Sequence, residues 1–469
     1  MPLFRWVLGV LVFGLAGVGP AGVSAAPVRA RCRPTAFVTN SGSNTVSTID
    51  VKTGAKDPTD IAVGRYPQGV AVTPDGKTVF VANSLGGTVS TIDVKTRTKN
   101  PADIAVDPRP VDVSVTPDGK TAFVTNSLGG TVAAIDVKTR TKDPTDITVG
   151  SIPSRVAVTP DGKTVFVANN GSGTVSTIDV KTRTKHPTDI AVGEHPKNVT
   201  VTPDGKTVFV TNSTLVLTGV GGDSVSTIDV KTRTKHPTDI TVGPQPQVVA
   251  VTPNGKTAFV ANGASGTVST IDVKTRTKDR TDIPVGPLPS FVAITPDGKT
   301  AFVANFGTDT VSKIDVKTRT KDPTDITVGS NPVGVAVTPD SKTAFVTNYG
   351  SDTVSTIDLE TRTKNHADIT VGTGPAGVAV TPDGKTAFVT GRGTVSTIDV
   401  QTRTKDPTDI TVGSAPGGVK VTPDGKTAIV TNTASGTVST IDVKTRTKNP
   451  KDITVGMAPL GVAITPCHR

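Results

Sequence analysis

Short runs of alternating apolar and polar residues, separated by Pro, Asp and Gly, fill the chain from residue 35 onward. Alternation with a period of two predicts strands that bury one face, and the residues between the runs predict tight turns. Residues 73–76 form such a turn, because Pro presets φ and Gly tolerates a positive φ. We label the predicted strands of one unit a, b, c and d; in residues 70–112 they are 70–73, 78–83, 88–94 and 103–106.

An Ile-Asp dipeptide ends each predicted c strand and recurs ten times along the chain. Most repeats are 43 residues apart, one is longer by an insert at 213–223, and one is shorter. Four short strands in about 43 residues match one β-propeller blade, whereas Gly and Pro recur too often for helical repeats. The pattern therefore predicts an all-β propeller of ten four-stranded repeats.

The ends of the repeat region are complementary. Unit one starts at strand b with Thr35 and lacks strand a, and residues 462–466 supply an extra strand a. We expect one closed ten-bladed ring over residues 32–469, in which the C-terminal strand completes the first blade. Sheets about 10 Å apart would place the a strands about 9 Å from the axis and leave a wet channel, while two five-bladed rings would leave only about 1 Å. Seven closed blades with three left over would not need complementary ends.

Two recurring polar positions are expected to be structural. Nine b strands end in Asn and the tenth unit has Gly391, which predicts a left-handed backbone position there. The Asp of each Ile-Asp dipeptide is expected to accept hydrogen bonds from nearby turn amides, and not to form a ring of acids or metal ligands.

Most b strands read Phe-Val-Thr-Asn or Phe-Val-Ala-Asn and most c strands Thr-Val-Ser-Thr-Ile-Asp, as at 37–40 and 45–50. These motifs resemble the YVTN family of bacterial and archaeal β-propeller repeats, with Phe in place of Tyr. The resemblance covers essentially the whole chain after residue 32. It implies an exported or surface-displayed propeller and supplies no catalytic residues to carry over.

Residues 1–25 are expected to be a secretory signal peptide. Arg5 precedes an apolar run at 6–18, and small residues follow at 23–26. The run is too short for a membrane-spanning helix, which needs about 20 apolar residues. The two cysteines, Cys32 and Cys467, both fall at the Asp position of the Pro-Asp-Gly turn in the blade that the chain ends complete. We therefore predict a disulfide between them in an oxidising compartment.

Candidate chemistry is sparse. The sequence has no Gly-x-Ser-x-Gly and no His-Glu-x-x-His motif, and His186 and His236 occupy equivalent turns of adjacent blades about 14 Å apart, too far to share a zinc ion. The formal net charge is +10, but each basic Lys-Thr-Arg-Thr-Lys hairpin is nearly balanced by Asp residues and contains no aromatic side chain for base stacking. We expect no catalytic residue, no metal or other cofactor, and no nucleic-acid partner.

Variation among the repeats is concentrated in the b–c and d–a loops, which share one face of a propeller; we call it the variable face. The a–b and c–d turns, on the opposite face, are near copies of one another. Function in rigid scaffolds commonly lies in such loops, although unconstrained drift among duplicated repeats is the alternative.

Aromatic residues outside the core position suggest a binding patch on this face. Phe306 and Tyr349 are equivalent in consecutive units and are each followed by an acid, Asp309 and Asp352, while Phe291 begins the a strand of the first of these units. Rings and carboxylates suit a sugar or a basic peptide. The predicted binding residues are Tyr66, Leu215, Leu217, Phe291, Phe306, Asp309, Tyr349 and Asp352.

We therefore expect a monomeric, non-catalytic propeller in the periplasm, at the cell surface or outside the cell, with an envelope or extracellular protein or a glycan as its partner. No further hydrophobic segment follows the leader, so no transmembrane segment is expected in the mature chain. A lactonase-like or lyase-like propeller enzyme is the alternative.

Overall fold

Ten small antiparallel sheets follow one another along the chain in the computed structural model, which describes residues 34–213, 223–365 and 367–466. Each sheet has the order a, b, c, d from the inside outward, and an additional short strand, e, pairs with c beside d. The described residues contain strands and turns but no helix, which confirms the all-β class.

Strands a, b and c each occur once in every blade, and their ranges run from blade 1 to blade 10. The a strands are Pro459–Ile464, Pro67–Val72, Pro110–Val115, Pro153–Val158, Pro196–Val201, Pro246–Val251, Pro289–Ile294, Pro332–Val337, Gly377–Val380 and Pro416–Val421. The b strands are Thr35–Asn40, Thr78–Asn83, Thr121–Asn126, Thr164–Asn169, Thr207–Asn212, Thr257–Asn262, Thr300–Asn305, Thr343–Asn348, Thr386–Thr390 and Thr427–Asn432. The c strands are Thr45–Asp50, Thr88–Asp93, Thr131–Asp136, Thr174–Asp179, Ser224–Asp229, Thr267–Asp272, Thr310–Asp315, Thr353–Asp358, Thr394–Asp399 and Thr437–Asp442.

The outer strands are much shorter. The d strands are Ala55–Lys56, Thr98–Lys99, Thr141–Lys142, Thr184–Lys185, Thr234–Lys235, Thr277–Lys278, Thr320–Lys321, Thr363–Lys364, Thr404–Lys405 and Thr447–Lys448. The e strands are Ile61–Ala62, Ile104–Ala105, Ile147–Thr148, Ile190–Ala191, Ile240–Thr241, Ile283–Pro284, Ile326–Thr327, Ile369–Thr370, Ile410–Thr411 and Ile453–Thr454.

The sequence prediction of one outer strand per blade was therefore incomplete. In blade 2, Lys99 of strand d pairs with Ile92 and Ile104 of strand e pairs with Val89, so both short strands lie along c. Between them comes the segment 100–103, which contains Pro101. Proline cannot donate a backbone hydrogen bond and suits this outer edge, but it is not required for the split, because blade 6 has the same two strands with Arg280 at the equivalent position.

The ring closes as predicted, with the C-terminal a strand pairing antiparallel with the first b strand. Val462 lies opposite Val38, and Thr465 and Thr35 exchange two hydrogen bonds, from Thr465 N to Thr35 O at 3.0 Å and from Thr35 N to Thr465 Oγ1 at 2.9 Å. Ten hydrophobic clusters lie between consecutive blades, and one of them joins blade 10 to blade 1 through Ile429 and Val38. This continuous series shows one ten-bladed ring and not two five-bladed rings.

Each interface between blades is built on one large residue of strand b. Phe37 of blade 1 packs against Val79, Val81 and Ile92 of blade 2, and equivalent Phe residues fill the same position in most blades. The b strands and the middle of the c strands are buried, whereas most a-strand residues are only half-buried although they are innermost. The a strands therefore line a channel that is open to solvent.

The Asn that ends strand b serves a side-chain network, and the predicted left-handed backbone is wrong. Neither Asn83 nor its equivalents have a positive φ, and Gly391 does not either. Instead the buried Asn83 donates from Nδ2 to Thr88 Oγ1 at 2.9 Å and to Ser90 Oγ at 3.0 Å. Ser90 then donates to Asp103 at 2.7 Å. Asn is retained because it satisfies buried polar groups between strands b and c.

The Asp of each Ile-Asp dipeptide has the expected structural role, together with one that the sequence analysis missed. Asp136 Oδ1 accepts from the backbone N–H of Thr139 at 2.8 Å, and its Oδ2 lies 3.3 Å from Nη2 of Arg183 in the next blade. Arg183 also pairs with Asp143 at 2.7 Å. The Thr139 N–H and the Arg183 charge lower the pKa of Asp136. The basic hairpins thus form ion pairs between blades.

His236 occupies the position of Asp143 in blade 5 and leaves this network incomplete. Within the described residues, Thr227 Oγ1, His236 Nδ1 and Arg276 Nε are buried and form no hydrogen bond. In blade 6 the equivalent Asp279 accepts from Thr270 Oγ1 at 2.6 Å and from Arg319 Nη1 at 2.7 Å.

We expect His236→Asp to raise the free energy of unfolding by about 1–2 kcal/mol, because one carboxylate would satisfy the threonine and pair with the arginine. Chemical denaturation measures the change. The reverse exchange in the next blade, Asp279→His, should lower the free energy of unfolding by a similar amount. Equal stability of His236→Asp and the wild-type protein would contradict this account.

Candidate binding face

The d–a and b–c loops of the variable face are held together by backbone hydrogen bonds. In blade 2, Ser84 N donates to Tyr66 O at 2.9 Å and Leu85 N donates to Arg65 O at 3.1 Å. Equivalent bonds recur in other blades, as between Tyr349 N and Asn331 O at 3.0 Å. Each blade therefore presents two loops as one fixed unit.

The most variable residue of each d–a loop has a left-handed backbone conformation. Nine of these ten residues are not glycine: Tyr66, Arg109, Ile152, His195, Gln245, Leu288, Asn331, Ala415 and Ala458, while the tenth is Gly374. Their φ values run from 47° at His195 to 60° at Arg109. This conformation costs of order 1 kcal/mol for a residue other than glycine, and for β-branched Ile152 it is an outlier. All ten blades share this conformation whatever the residue, so it is a property of the turn.

The structure brings Phe306 and Tyr349 into one strip across blades 7 and 8, with Asn331 between them. Asn331 Nδ2 donates to Phe306 O at 3.2 Å, and Asn331 O accepts from Tyr349 N. Both aromatic side chains are half-buried.

Arg392 of blade 9 extends this strip, and the sequence analysis missed it. Its Nη2 donates to the Tyr349 hydroxyl at 2.8 Å, and its Cζ lies 5.8 Å from the centroid of the Tyr349 ring. The hydrogen bond with Tyr349 raises the pKa of Arg392, and the Asp352 charge acts in the same direction. The available signal was the b–c loop of blade 9, which is shortened to Gly391, Arg392 and Gly393. We call Phe306, Asn331, Tyr349 and Arg392 the aromatic strip.

The two predicted acids lie beside the strip, but each uses one oxygen to hold a loop. Asp309 Oδ1 accepts from Asn331 N at 2.8 Å, and Asp352 Oδ1 accepts from Gly374 N at 2.7 Å. Both acids have a left-handed backbone, with φ of 57° and 58°. Asn44 plays the same part in blade 1, where its Oδ1 accepts from Tyr66 N. The carboxylates are thus partly structural, and Arg392 is the exposed charge at the aromatic ring.

The remaining predicted site residues lie elsewhere. Phe291 lies in the a strand of blade 7 and packs half-buried against the cluster that contains Phe302. Tyr66 is exposed at blade 2, on another part of the ring from blades 7 to 9. Leu215, Leu217, the signal peptide at 1–25 and both partners of the predicted disulfide, Cys32 and Cys467, fall outside the described residues.

Asp112 of blade 3 and Arg155 of blade 4 are charged residues of the a strands in the channel wall. Asp112 of the blade 3 a strand accepts from Val113 N at 3.1 Å. Burial raises the pKa of Asp112, while Arg155 and the N–H groups of Val156 and Val113 oppose the rise. Among the described residues, no three His, Cys, Asp or Glu side chains are grouped to hold a metal ion. No helix in the described part of the chain could span a membrane.

Comparison with known families agrees with this architecture. The family described as Lactonase, 7-bladed beta-propeller, matches residues 181–458, more than half of the chain. This chain belongs to that lactonase propeller family. The YNCE-like beta-propeller family matches residues 3–121, and a YVTN-type repeat propeller is consistent with both matches. The lactonase description specifies seven blades, whereas the ring of this protein contains ten.

Solved structures similar to this lactonase-family chain show the fold alone. A eukaryotic initiation factor is 10% identical with a TM-score of 0.58, covering 93% of this chain and 100% of its own. Apo AztD from Citrobacter koseri is 15% identical with a TM-score of 0.50, covering 92% and 98%. A 6-phosphogluconolactonase from Bacteroides uniformis, itself a tentative assignment, is 19% identical with a TM-score of 0.43, covering 66% and 98%. None of the curated proteins is detectably similar in sequence.

Proposed function

We propose that this protein is an exported, non-catalytic binding propeller whose aromatic strip recognises a saccharide that carries a carboxylate. The observation that carries the proposal is the position of Arg392, which is exposed and is held against Tyr349 by a 2.8 Å hydrogen bond. A guanidinium fixed in advance loses little side-chain entropy when it binds a carboxylate, and its fork matches the two carboxylate oxygens.

The sequence suggested a sugar or a basic peptide, and the neighbouring groups favour a sugar that carries a carboxylate. Asp309 and Asp352 each give one oxygen to a backbone N–H, so the local acids are less available to a cation. Aromatic rings bind the apolar face of a sugar, and Asn331 adds an amide that can bond hydroxyl groups. Asn331 projects from a left-handed loop tip, with φ of 53°.

Binding of polygalacturonate, measured by calorimetry against neutral dextran as the uncharged polymer, tests the proposal. We expect Arg392→Ala to weaken binding by about ten- to a hundred-fold, as for a hydrogen bond to a charged group. Phe306→Ala with Tyr349→Ala should also weaken binding while the melting temperature stays nearly unchanged. Arg280→Ala removes an exposed arginine from the outer edge of blade 6, outside the aromatic strip, and serves as the matched control.

Equal binding of dextran and polygalacturonate would contradict the role of Arg392, and so would unchanged binding by Arg392→Ala. Binding of an acidic peptide but of neither polymer would replace the saccharide with a protein partner.

Lactone hydrolysis is a second candidate function, and family membership favours it. Asp112 is the candidate general base, because it is a carboxylate of raised pKa in the channel wall beside Arg155. Hydrolysis of a sugar lactone by the purified protein, abolished by Asp112→Asn, would establish this activity. Hydrolysis that is unchanged in Asp112→Asn would exclude Asp112 from it.

A further inference from the structure

Most of the exposed large hydrophobic side chains lie on blades 1 to 4, in the loops of the variable face or, for Leu460, at the adjacent end of an a strand. Blade 1 presents Met457 and Leu460, blade 2 presents Tyr66 and Leu85, and Leu128 and Ile152 follow on blades 3 and 4. Leu128 is 69% exposed, Met457 65% and Leu85 59%. In the described residues Leu288 of blade 7 is the one exposed large hydrophobic residue outside this group. We call the six residues the apolar arc.

The apolar arc is fixed in position and follows the ring. Met457 O accepts from Gly42 N at 2.9 Å, and Leu128 N donates to Pro108 O at 3.3 Å. Tyr66 and Ile152 project from left-handed loop tips. Because consecutive sheets are about 10 Å apart, the tips are separate points along an arc of about 30 Å. Six of the seven exposed large hydrophobic residues in the described part of the chain lie on four consecutive blades, so they are concentrated on one side of the ring although they do not form one contiguous patch.

The exposed charges within the arc are of one sign. Arg65 precedes Tyr66 in the d–a loop of blade 2. Arg109 lies at the tip of the d–a loop of blade 3, which is hydrogen-bonded to the b–c loop that carries Leu128. Both arginines are exposed. The acid of these loops, Asp107, is half-buried and accepts from Thr131 Oγ1 at 2.7 Å. The arc therefore offers apolar side chains and positive charge on the same surface.

We propose that the apolar arc docks this protein on the surface of a membrane that contains anionic lipid. Interfacial binding of this kind depends on the apolar area that enters the headgroup region and on attraction between basic side chains and anionic lipids. Leu, Ile and Met can enter that region as separate points, and Tyr suits its polar edge. The arc lies on blades 1 to 4 and the aromatic strip on blades 7 to 9. The two proposals therefore concern different surfaces, and failure of one leaves the other unaffected.

Sedimentation of the purified protein with vesicles tests the membrane proposal, using phosphatidylcholine alone and phosphatidylcholine with about one third phosphatidylglycerol. We expect at least about ten-fold stronger binding to the anionic vesicles, with the difference lost at high salt. Leu85→Ser with Leu128→Ser should weaken binding to them by at least about ten-fold. Arg65→Gln with Arg109→Gln should remove most of the preference for anionic lipid.

Two control variants separate docking by the arc from general attraction of a basic protein. Leu288→Ser removes an exposed leucine from the same face outside the arc and should bind as the wild-type protein does. Lys95→Gln with Lys138→Gln removes two exposed charges from blades 2 and 3 on the opposite face and should also leave binding unchanged.

If the protein bound neither the neutral nor the anionic vesicles, the proposal would be overturned. It would also be overturned if the lysine pair mattered as much as the arginine pair, or if Leu288→Ser were as damaging as the arc variant. Light scattering that shows a dimer, lost in Leu85→Ser with Leu128→Ser, would instead assign the arc to a contact between two copies of the chain.

Discussion

Replacing Asp322 with Ala should lower the free energy of unfolding by about 3–5 kcal/mol, which is the usual effect of leaving a buried charge without its partner. Lys313 lies in the c strand of blade 7 and is 1% exposed. Its Nζ is 2.9 Å from Asp322 Oδ2. Burial lowers the pKa of Lys313, and Asp322 opposes that effect. Chemical denaturation at neutral pH measures the loss.

The repeats provide the matched control. Most other blades have Thr at the position of Lys313, and Thr270 bonds Asp279 in that arrangement. Lys313→Thr should fold normally, and in that background Asp322→Ala should cost only about 1 kcal/mol, the value of one neutral hydrogen bond. The double-mutant cycle would then show strong coupling. Additive losses in the two variants would contradict a buried ion pair.

The lowered pKa of Lys313 also predicts the sign of a pH effect. The unfolded chain keeps this proton to a higher pH than the folded protein does, so the burial penalty is fully present below the folded pKa. The penalty is relieved as pH rises from the folded pKa towards the unfolded value of about 10.4. Lys313→Thr should therefore gain less stability than the wild-type protein over that alkaline range.

A chain that ends at Ala458 should lose several kcal/mol of stability and should associate, because it lacks the a strand of blade 1. The missing strand pairs with Thr35–Asn40 and packs Val462 and Ile464 against the cluster between blades 10 and 1. Each ladder hydrogen bond contributes about 1 kcal/mol, and burial of the two aliphatic side chains adds about 1–2 kcal/mol each. An exposed b strand would also offer an edge for pairing with another chain. Thermal melts and light scattering measure these effects.

A chain that ends at Pro466 keeps the strand and is the control; both truncated chains lack Cys467, so the predicted disulfide contributes to neither. The seam between blades 10 and 1 has little other support at its outer edge. Blade 1 has Gly54 where most blades have the arginine that pairs with the preceding blade, and blade 10 has Asn449 at the corresponding acid position. If the chain that ends at Ala458 were monomeric and as stable as the control, the importance of this strand would be contradicted.

The repeat period, the strands a to c and the complementary ends were predictable because they depend on patterns local to the sequence. Alternation of apolar and polar residues indicates a strand with one buried face, and Pro-Asp-Gly indicates a turn. The b strand that begins at Thr35 and residues 462–466 supply the two parts of one blade. The sequence shows Lys313 and His236 as exceptions among the repeats. Their effect on the free energy of unfolding could not be predicted, because it depends on the side chains that face them across the blade and from the next blade. The split outer strand and the role of Asn83 were missed for the same reason.

The ten-bladed propeller and the face on which variation accumulates could be predicted from the sequence, since both follow from periodicity and strand order. Which variable residues meet depends on the tertiary structure. Arg392 reaches Tyr349 from the next blade, 43 positions along the chain, and Met457 joins Tyr66 in the apolar arc because the ring closes. The tertiary structure also gives Asp309 and Asp352 a role that the sequence did not indicate, since one oxygen of each accepts a hydrogen bond that holds a loop. Contacts between blades arise only when the ring forms, and no local sequence pattern predicts them.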